Sequence, residues 1–317
     1  MKKLMWAGAA VLILSVFAAL FISNKPKNRE YTAEEFLFDT VCTVTAYGSE
    51  AEAAVTAAFD RLSEIHLATD FYSENSEVAK INSAKGGEEI TVSPDLCQML
   101  DTALRVGRDS KGAFDITVAS VTKLWDFKNQ GSVPTKAQID SGLQCVGIDK
   151  LTFNKGKSAL IKSCDEVKID LGGVAKGYAG DVAIQVIKEF DVQGAIVDLG
   201  GNITCFGENP NSRDGGWRIG IQKPFAPTGE YGEIVEVAGG AVVTGGTYQR
   251  YFEKDGRLYH HIIDPQTGYP ADSEYSSVTI VSQSGLESDC LATACFVLGE
   301  DEGQALAEKY GADIYFN

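Results

Sequence analysis

Apolar positions change their spacing from one stretch of the chain to the next, and those spacings predict the elements. Phe36 to Tyr47 is rich in β-branched and aromatic residues and reads as one strand. Between Ser49 and Thr69 the apolar positions Ala54, Ala58, Leu62 and Ile65 recur every three or four residues, the stripe of an amphipathic helix. Ser93-Pro94 opens a second helix running to about Asp109, with a hydroxyl to cap it and a proline where no N–H is needed. Strands are predicted at 159–163, 166–171 and 194–199, and a helix over 175–190. Residues 201–283 hold many short strands separated by Gly and Pro turns, and helices close the chain at Leu286–Gly299 and Glu300–Tyr310. Helices and strands intermingle without a βαβ rhythm. That predicts an α+β fold, a single mixed domain over residues 28–317, in preference to a doubly wound parallel sheet.

The N-terminus stands apart. Met1-Lys2-Lys3 is followed by an uncharged run from Leu4 to Ile22 and then by polar Asn24-Lys25-Pro26-Lys27. A run of about 19 apolar residues is long for a cleaved signal and just spans a bilayer. Residues 1–27 are therefore read as a membrane anchor or signal segment, with lysines inside and the body outside the membrane. With 44% hydrophobic and 23% charged residues, the chain as a whole has the composition of a folded protein. Its net charge of -16 argues against nucleic-acid binding, since such a surface repels phosphate backbones. Any phosphate-bearing ligand needs a local device, either a metal ion or a nest of backbone N–H groups. The 7 cysteines form no CxxC pair and sit in apolar stretches, so they read as small buried hydrophobes.

Three segments carry candidate chemistry. In Asp170-Leu171-Gly172-Gly173-Val174-Ala175-Lys176-Gly177 a strand ends in two glycines and a helix begins, which suits close backbone approach to an anion and suits a plain strand-to-helix turn equally. Neither the Rossmann nor the Walker pattern is present. Asp289 and Thr293 lie four apart near the start of the last strong helix, so their oxygens share one face. A carboxylate beside a hydroxyl suits Mg²⁺; Asp289 facing its own helix dipole, with Thr293 bonded back to a carbonyl, explains the same pair. In His260-His261-Ile262-Ile263-Asp264-Pro265-Gln266-Thr267-Gly268 the second half is a tight turn, but two of the 3 histidines standing together before it are not explained by a turn. His66, on the first helix, reads as structural. No Cys/His cluster supports zinc, and no Gly-x-Ser-x-Gly supports a hydrolase nucleophile.

Taken in order, Phe38-Asp39-Thr40, Phe71-Tyr72-Ser73, Gly112-Ala113-Phe114-Asp115-Ile116-Thr117-Val118, the Asp170–Gly177 turn and Asp198-Leu199-Gly200-Gly201-Asn202 are followed by further marks. These are Trp217-Arg218-Ile219-Gly220-Ile221, Thr244-Gly245-Gly246-Thr247-Tyr248, the His261–Gly268 turn and Asp289-x-x-x-Thr293. The series resembles the ApbE family of FAD:protein FMN transferases from about residue 36 to 310. The resemblance implies a cleft for FAD in an α+β domain, Mg²⁺ on the pyrophosphate, and transfer of FMN to a Ser or Thr hydroxyl of an acceptor protein with release of AMP. Carried over by motif, Asp289, Thr293 and the Gly173 carbonyl hold the metal. Phe38, Tyr72, Ala113, Phe114, Asp115, Asp170, Lys176 and Ile263 line the FAD site, and His261 is the catalytic candidate. The implied acceptor is an extracytoplasmic electron-transfer protein. Phe38 stands where the family often has Met, Asn202 where it often has an acid, and Gly245-Gly246 where Ser-Gly is usual; the chain also ends soon after Tyr315, leaving a last strand short or missing. Two other readings stay open: an FAD pyrophosphatase giving FMN and AMP, and an exported flavin-binding protein without catalysis.

Overall fold

A computed structural model describes residues 29–129, 131–227 and 229–317. The anchor expected over residues 1–27 lies outside them, and among the described residues no helix is long and apolar enough to cross a membrane.

Seven strands form one antiparallel sheet in the spatial order Glu30–Leu37, Thr40–Gly48, Val192–Leu199, Asn202–Gly207, Gly240–Gly246, Ser277–Ser282 and Asp313–Phe316. Antiparallel pairing throughout is what the irregular rhythm of helices and strands predicted. On one face lie the helices Ala51–Thr69, Ala175–Ile187 and Gly285–Leu298, with Pro94–Asp109 packed behind the last. Cys42, Val44 and Ala46 alternate along their strand and are wholly buried with the core, as period two requires when one face meets helices. The opposite face is covered by the hairpin Trp217–Gln222/Tyr231–Val237, whose Trp217 and Ile219 pack on Tyr47, Cys205 and Val242. The Trp217–Ile221 mark is thus a cover for the sheet. The last strand is present, four residues at the edge.

Two expectations are corrected. Phe36–Tyr47 is not one strand: Leu37 pairs with Thr40 and the chain reverses at Phe38-Asp39, with φ of 53° and 59°. Two successive left-handed residues make a two-residue hairpin turn that favours Asn-Gly, so Phe-Asp gives no turn signal. Such conformations cost on the order of 1–3 kcal/mol per residue and persist only when the surroundings hold them. Here His66 Nδ1 accepts the Phe38 N–H at 3.3 Å, and the two rings meet edge to face at 5.2 Å.

Residues 166–171 form no strand. The Asn82 side chain takes a strand's place, donating to Ile169 O at 2.9 Å and accepting from Ile169 N at 2.8 Å, while Asp170 N donates to Ile116 O. Ile169 is fully buried, so Asn82→Ala strands two backbone groups away from water. We expect a loss of about 2–4 kcal/mol in urea denaturation, with Asn82→Asp, which keeps only the acceptor, losing about half of that.

Asp-Leu-Gly-Gly occurs twice, at 170–173 and 198–201, but the two turns differ. Gly200 and Gly201 are left-handed, whereas Gly172 and Gly173 are not. What they share is an aspartate accepting a nearby glycine N–H, from Gly172 for Asp170 and from Gly201 for Asp198.

Candidate active site

Two helices carry the deepest part of the site, and glycine sets their distance. A Cβ on Gly177 would lie 2.1 Å from Gly285 O, and one on Gly285 would lie 2.6 Å from Gly177 O. With no side chain at either, the Ala175–Ile187 and Gly285–Leu298 backbones touch. Each helix then caps the other: Asp181 accepts from Gly285 N at 2.8 Å and Leu286 N at 3.0 Å, and Asp289 Oδ2 accepts from Gly177 N at 2.9 Å. The aspartate near the start of its own helix therefore serves the dipole of the neighbouring helix.

This changes the reading of the diglycine turn. The N–H groups of Gly172, Val174, Ala175, Gly177 and Tyr178 already have protein acceptors, so little of the expected anion cradle is open. What the turn presents instead is backbone beside oxygens of the other helix. A Cβ on Gly173 would lie 3.3 Å from Thr293 Oγ1, and Asp289, one turn earlier on the same face, forms no hydrogen bond through Oδ1 among the described residues.

Above this floor opens a cleft of about 420 Å³, within the range of small-ligand sites. All the residues singled out from the sequence line it: Phe38, Tyr72, Ala113, Phe114, Asp115, Asp170, Gly173, Lys176, His261, Ile263, Asp289 and Thr293. They come from six separate stretches of the chain. Asp115 is buried, accepts from both Thr117 N and Thr117 Oγ1, and has its acidity weakened chiefly by burial. Burial also raises the pKa of Asp170, opposed by the Gly172 N–H and by the charges of Arg250 and Lys176. Tyr72 is half-exposed, and Lys128 Nζ sits 4.1 Å from its ring centre.

His261 has its orientation settled by one carbonyl. Arg250 O accepts its backbone N–H at 3.1 Å and bonds its Nδ1 at 3.2 Å. A carbonyl only accepts, which assigns the proton to Nδ1 and leaves Nε2 with its lone pair. Burial, with the Arg250 charge next, pushes the pKa down to about 3, so the ring is neutral at ordinary pH. His260 points elsewhere, bonding Ala271 O through Nε2, and the following Asp264–Gly268 turn is tied down by Trp125 Nε1 on Gly268 O at 3.0 Å.

Sequence reasoning missed several residues. His66 lines the cleft as well as holding the Phe38 turn. Lys128 and Arg250 line it too; Arg250 follows closely on the Thr244–Tyr248 mark, while nothing in its local sequence distinguishes Lys128. Asn202 lines the cleft with a buried Nδ2 that has no partner among the described residues. Among the described residues, no three His, Cys, Asp or Glu side chains gather as a metal-binding group. A site here would rest on one carboxylate, one hydroxyl and backbone.

The description "ApbE family" matches residues 38–316 of the chain. A relative from Treponema pallidum, named FAD:protein FMN transferase, is 32% identical over 310 residues, spanning 92% of this chain and 86% of its own. The crystal structure of the ApbE protein of Thermotoga maritima superposes with a TM-score of 0.83 at 31% identity, covering 91% of this chain and 94% of that one. Flavin transferase ApbE from Vibrio cholerae superposes with a TM-score of 0.81 at 29% identity, covering 91% and 93%.

Proposed function

The chain belongs to the ApbE family, and on that premise we propose that it is an enzyme transferring FMN from FAD to another protein, as its curated relatives are named for doing. The finer reading is transfer to a Ser or Thr hydroxyl in a phosphoester bond, with Mg²⁺ as cofactor and AMP as the second product. The observation that carries it is the meeting of Asp289, Thr293 and Gly173 at the floor of a cleft of ligand size.

The donor set fits the ion. Mg²⁺ takes one or two carboxylates, keeps several waters and fills its shell with phosphate oxygens, so an unengaged carboxylate oxygen, a hydroxyl and the Gly173 carbonyl suffice from the protein. Bound there, it would neutralise the pyrophosphate and lower the charge on the departing AMP. Asp289 holds one ligand oxygen in place by giving the other to Gly177 N. Phe38, Tyr72, Ala113, Phe114, Asp115, Asp170, Lys176 and Ile263 bind FAD, with the exposed face of Tyr72 offering a ring for stacking. In the reaction the acceptor oxygen bonds to the FMN phosphorus as the bond to the AMP oxygen breaks. His261 Nε2, kept free by the Nδ1 bond to Arg250 O, takes the hydroxyl proton.

We place the protein outside the cytoplasmic membrane, held by residues 1–27, with an extracytoplasmic electron-transfer protein as acceptor; the uncharged Leu4–Ile22 run behind two lysines supports that placement. The test mixes the protein with FAD and a threonine-bearing acceptor domain, with Mg²⁺ or with EDTA. Intact-mass spectrometry is expected to show an FMN adduct on the acceptor, matched by AMP, in Mg²⁺ alone. AMP and free FMN without an adduct would make the protein a pyrophosphatase, and retained FAD with neither product would make it a carrier.

A further inference from the structure

One carboxylate bridges two cations across the cleft. Asp39, on the left-handed turn, has Oδ1 3.5 Å from Lys128 Nζ and Oδ2 3.3 Å from Arg250 Nη2. The three side chains come from three separate loops, line the cleft, and remain 42%, 42% and 44% exposed. Around them the cleft is acidic: among the described residues that line it, Asp39, Asp70, Asp115, Asp170 and Asp289 face Lys128, Lys176 and Arg250. A pyrophosphate entering here needs cations, and a single aspartate engages two of the three.

We propose that Arg250 contacts the phosphates of FAD, with Lys128 beside it, and that Asp39 occupies their place until FAD displaces it. This rests on the reading that FAD is the substrate. Asp39 gives one anionic oxygen to the guanidinium and the other to the ammonium, as two oxygens of a phosphate would, which makes it a fitting stand-in. Arg250 is also placed where the reaction needs positive charge. Its own carbonyl holds both N–H groups of His261, so the guanidinium that meets the phosphate and the base that takes the proton share one short stretch of backbone. The charge of Arg250 acts on Asp170, Tyr72 and His261 together, which puts it centrally among the cleft residues. The turn fits the same role, because a strained conformation held by His66 keeps Asp39 over the cleft at the far end of its hairpin.

The inference predicts opposite signs for the two ends of one ion pair. Flavin fluorescence would measure binding of FAD, and of riboflavin as the phosphate-free comparator, to the full-length chain. Asp39→Asn removes a competing charge, and asparagine tolerates the left-handed turn, so FAD should bind about 3–10-fold tighter. Arg250→Ala should weaken FAD about 10–100-fold, the range of a hydrogen bond to a charged group, with Arg250→Lys between. Riboflavin should change less than about 2-fold in each. In the double variant the gain from Asp39→Asn should shrink to that arising from Lys128 alone. Weaker FAD binding by Asp39→Asn would overturn the proposal, since Asp39 would then be an anchor. So would an equal loss of riboflavin in Arg250→Ala, which would mark a scaffolding role. Unchanged FAD binding in both variants sinks this inference alone; a wild-type protein that binds no FAD sinks the substrate reading with it.

Discussion

Asp289→Asn is expected to cut flavin transfer by about 10²–10³-fold while leaving the melting temperature close to that of the wild type. The two oxygens of Asp289 have separate duties. Oδ2 accepts the Gly177 N–H and completes the start of the Ala175–Ile187 helix. An amide oxygen does that nearly as well. In the proposed reaction the other oxygen holds a divalent cation beside Thr293 and Gly173, and a neutral amide would be a poor ligand there. Asp289→Ala removes both functions and leaves the Gly177 N–H without its partner, in a contact where two backbones already touch. That variant should lose about 1–3 kcal/mol of stability as well as activity. Calorimetry beside intact-mass assays separates the two effects. Full activity with unaltered Mg²⁺ dependence in Asp289→Asn would show that the metal lies elsewhere.

His261→Ala should lower kcat by about 10²–10⁴-fold with FAD affinity little changed, the pattern of a lost proton acceptor. Because burial and Arg250 hold the ring at a pKa of about 3, kcat/KM should show no acid limb near the ordinary imidazole value. The same depression has a sign in stability. The folded pKa lies below the unfolded one, so above about pH 6.5 both states are neutral and nothing is contributed. Between there and about 3 the unfolded chain takes the proton first, and the wild type loses stability as pH falls. His261→Gln removes that loss. Solvent reaches the ring through the cleft, so the gain relative to wild type between pH 7.5 and pH 5 should be on the order of 1 kcal/mol by urea denaturation. A wild-type acid limb at imidazole pH, lost in the variant, would mean that the ring is not held neutral in this way.

Local chemistry was legible wherever one stretch of chain decides its own shape. Ser93-Pro94 does open its helix, the Ser93 hydroxyl accepting from Leu96 N, and the Asp264–Gly268 turn closes as its residues require. Asp289 and Thr293 were assigned to one face of one helix by spacing alone. Legibility failed where a distant partner replaces a local one. Residues 166–171 look like a strand because apolar Val167, Ile169 and Leu171 alternate with polar neighbours, yet a side-chain amide from residue 82 takes the neighbouring strand's part. Phe38-Asp39 looks like strand interior because its turn is held by His66, 28 residues away. The seven free cysteines read correctly as apolar fillers; five are buried, and Cys145 and Cys164 are partly buried.

By itself the sequence determined the α+β class and the long helices, and put Asp289 and Thr293 on one helical face, because hydrophobic period and capping are properties of short stretches; the FAD-site residues came from the resemblance to the family. Only the tertiary structure decided which of those residues meet. Gly177 and Gly285 let two helix backbones touch; that contact turns Asp289 toward another helix's N–H and sets Thr293 against Gly173. It also brought Asp39, Lys128 and Arg250 together from three loops. Spacing along a chain constrains partners a few residues apart, whereas distances between remote segments follow from how the whole core packs.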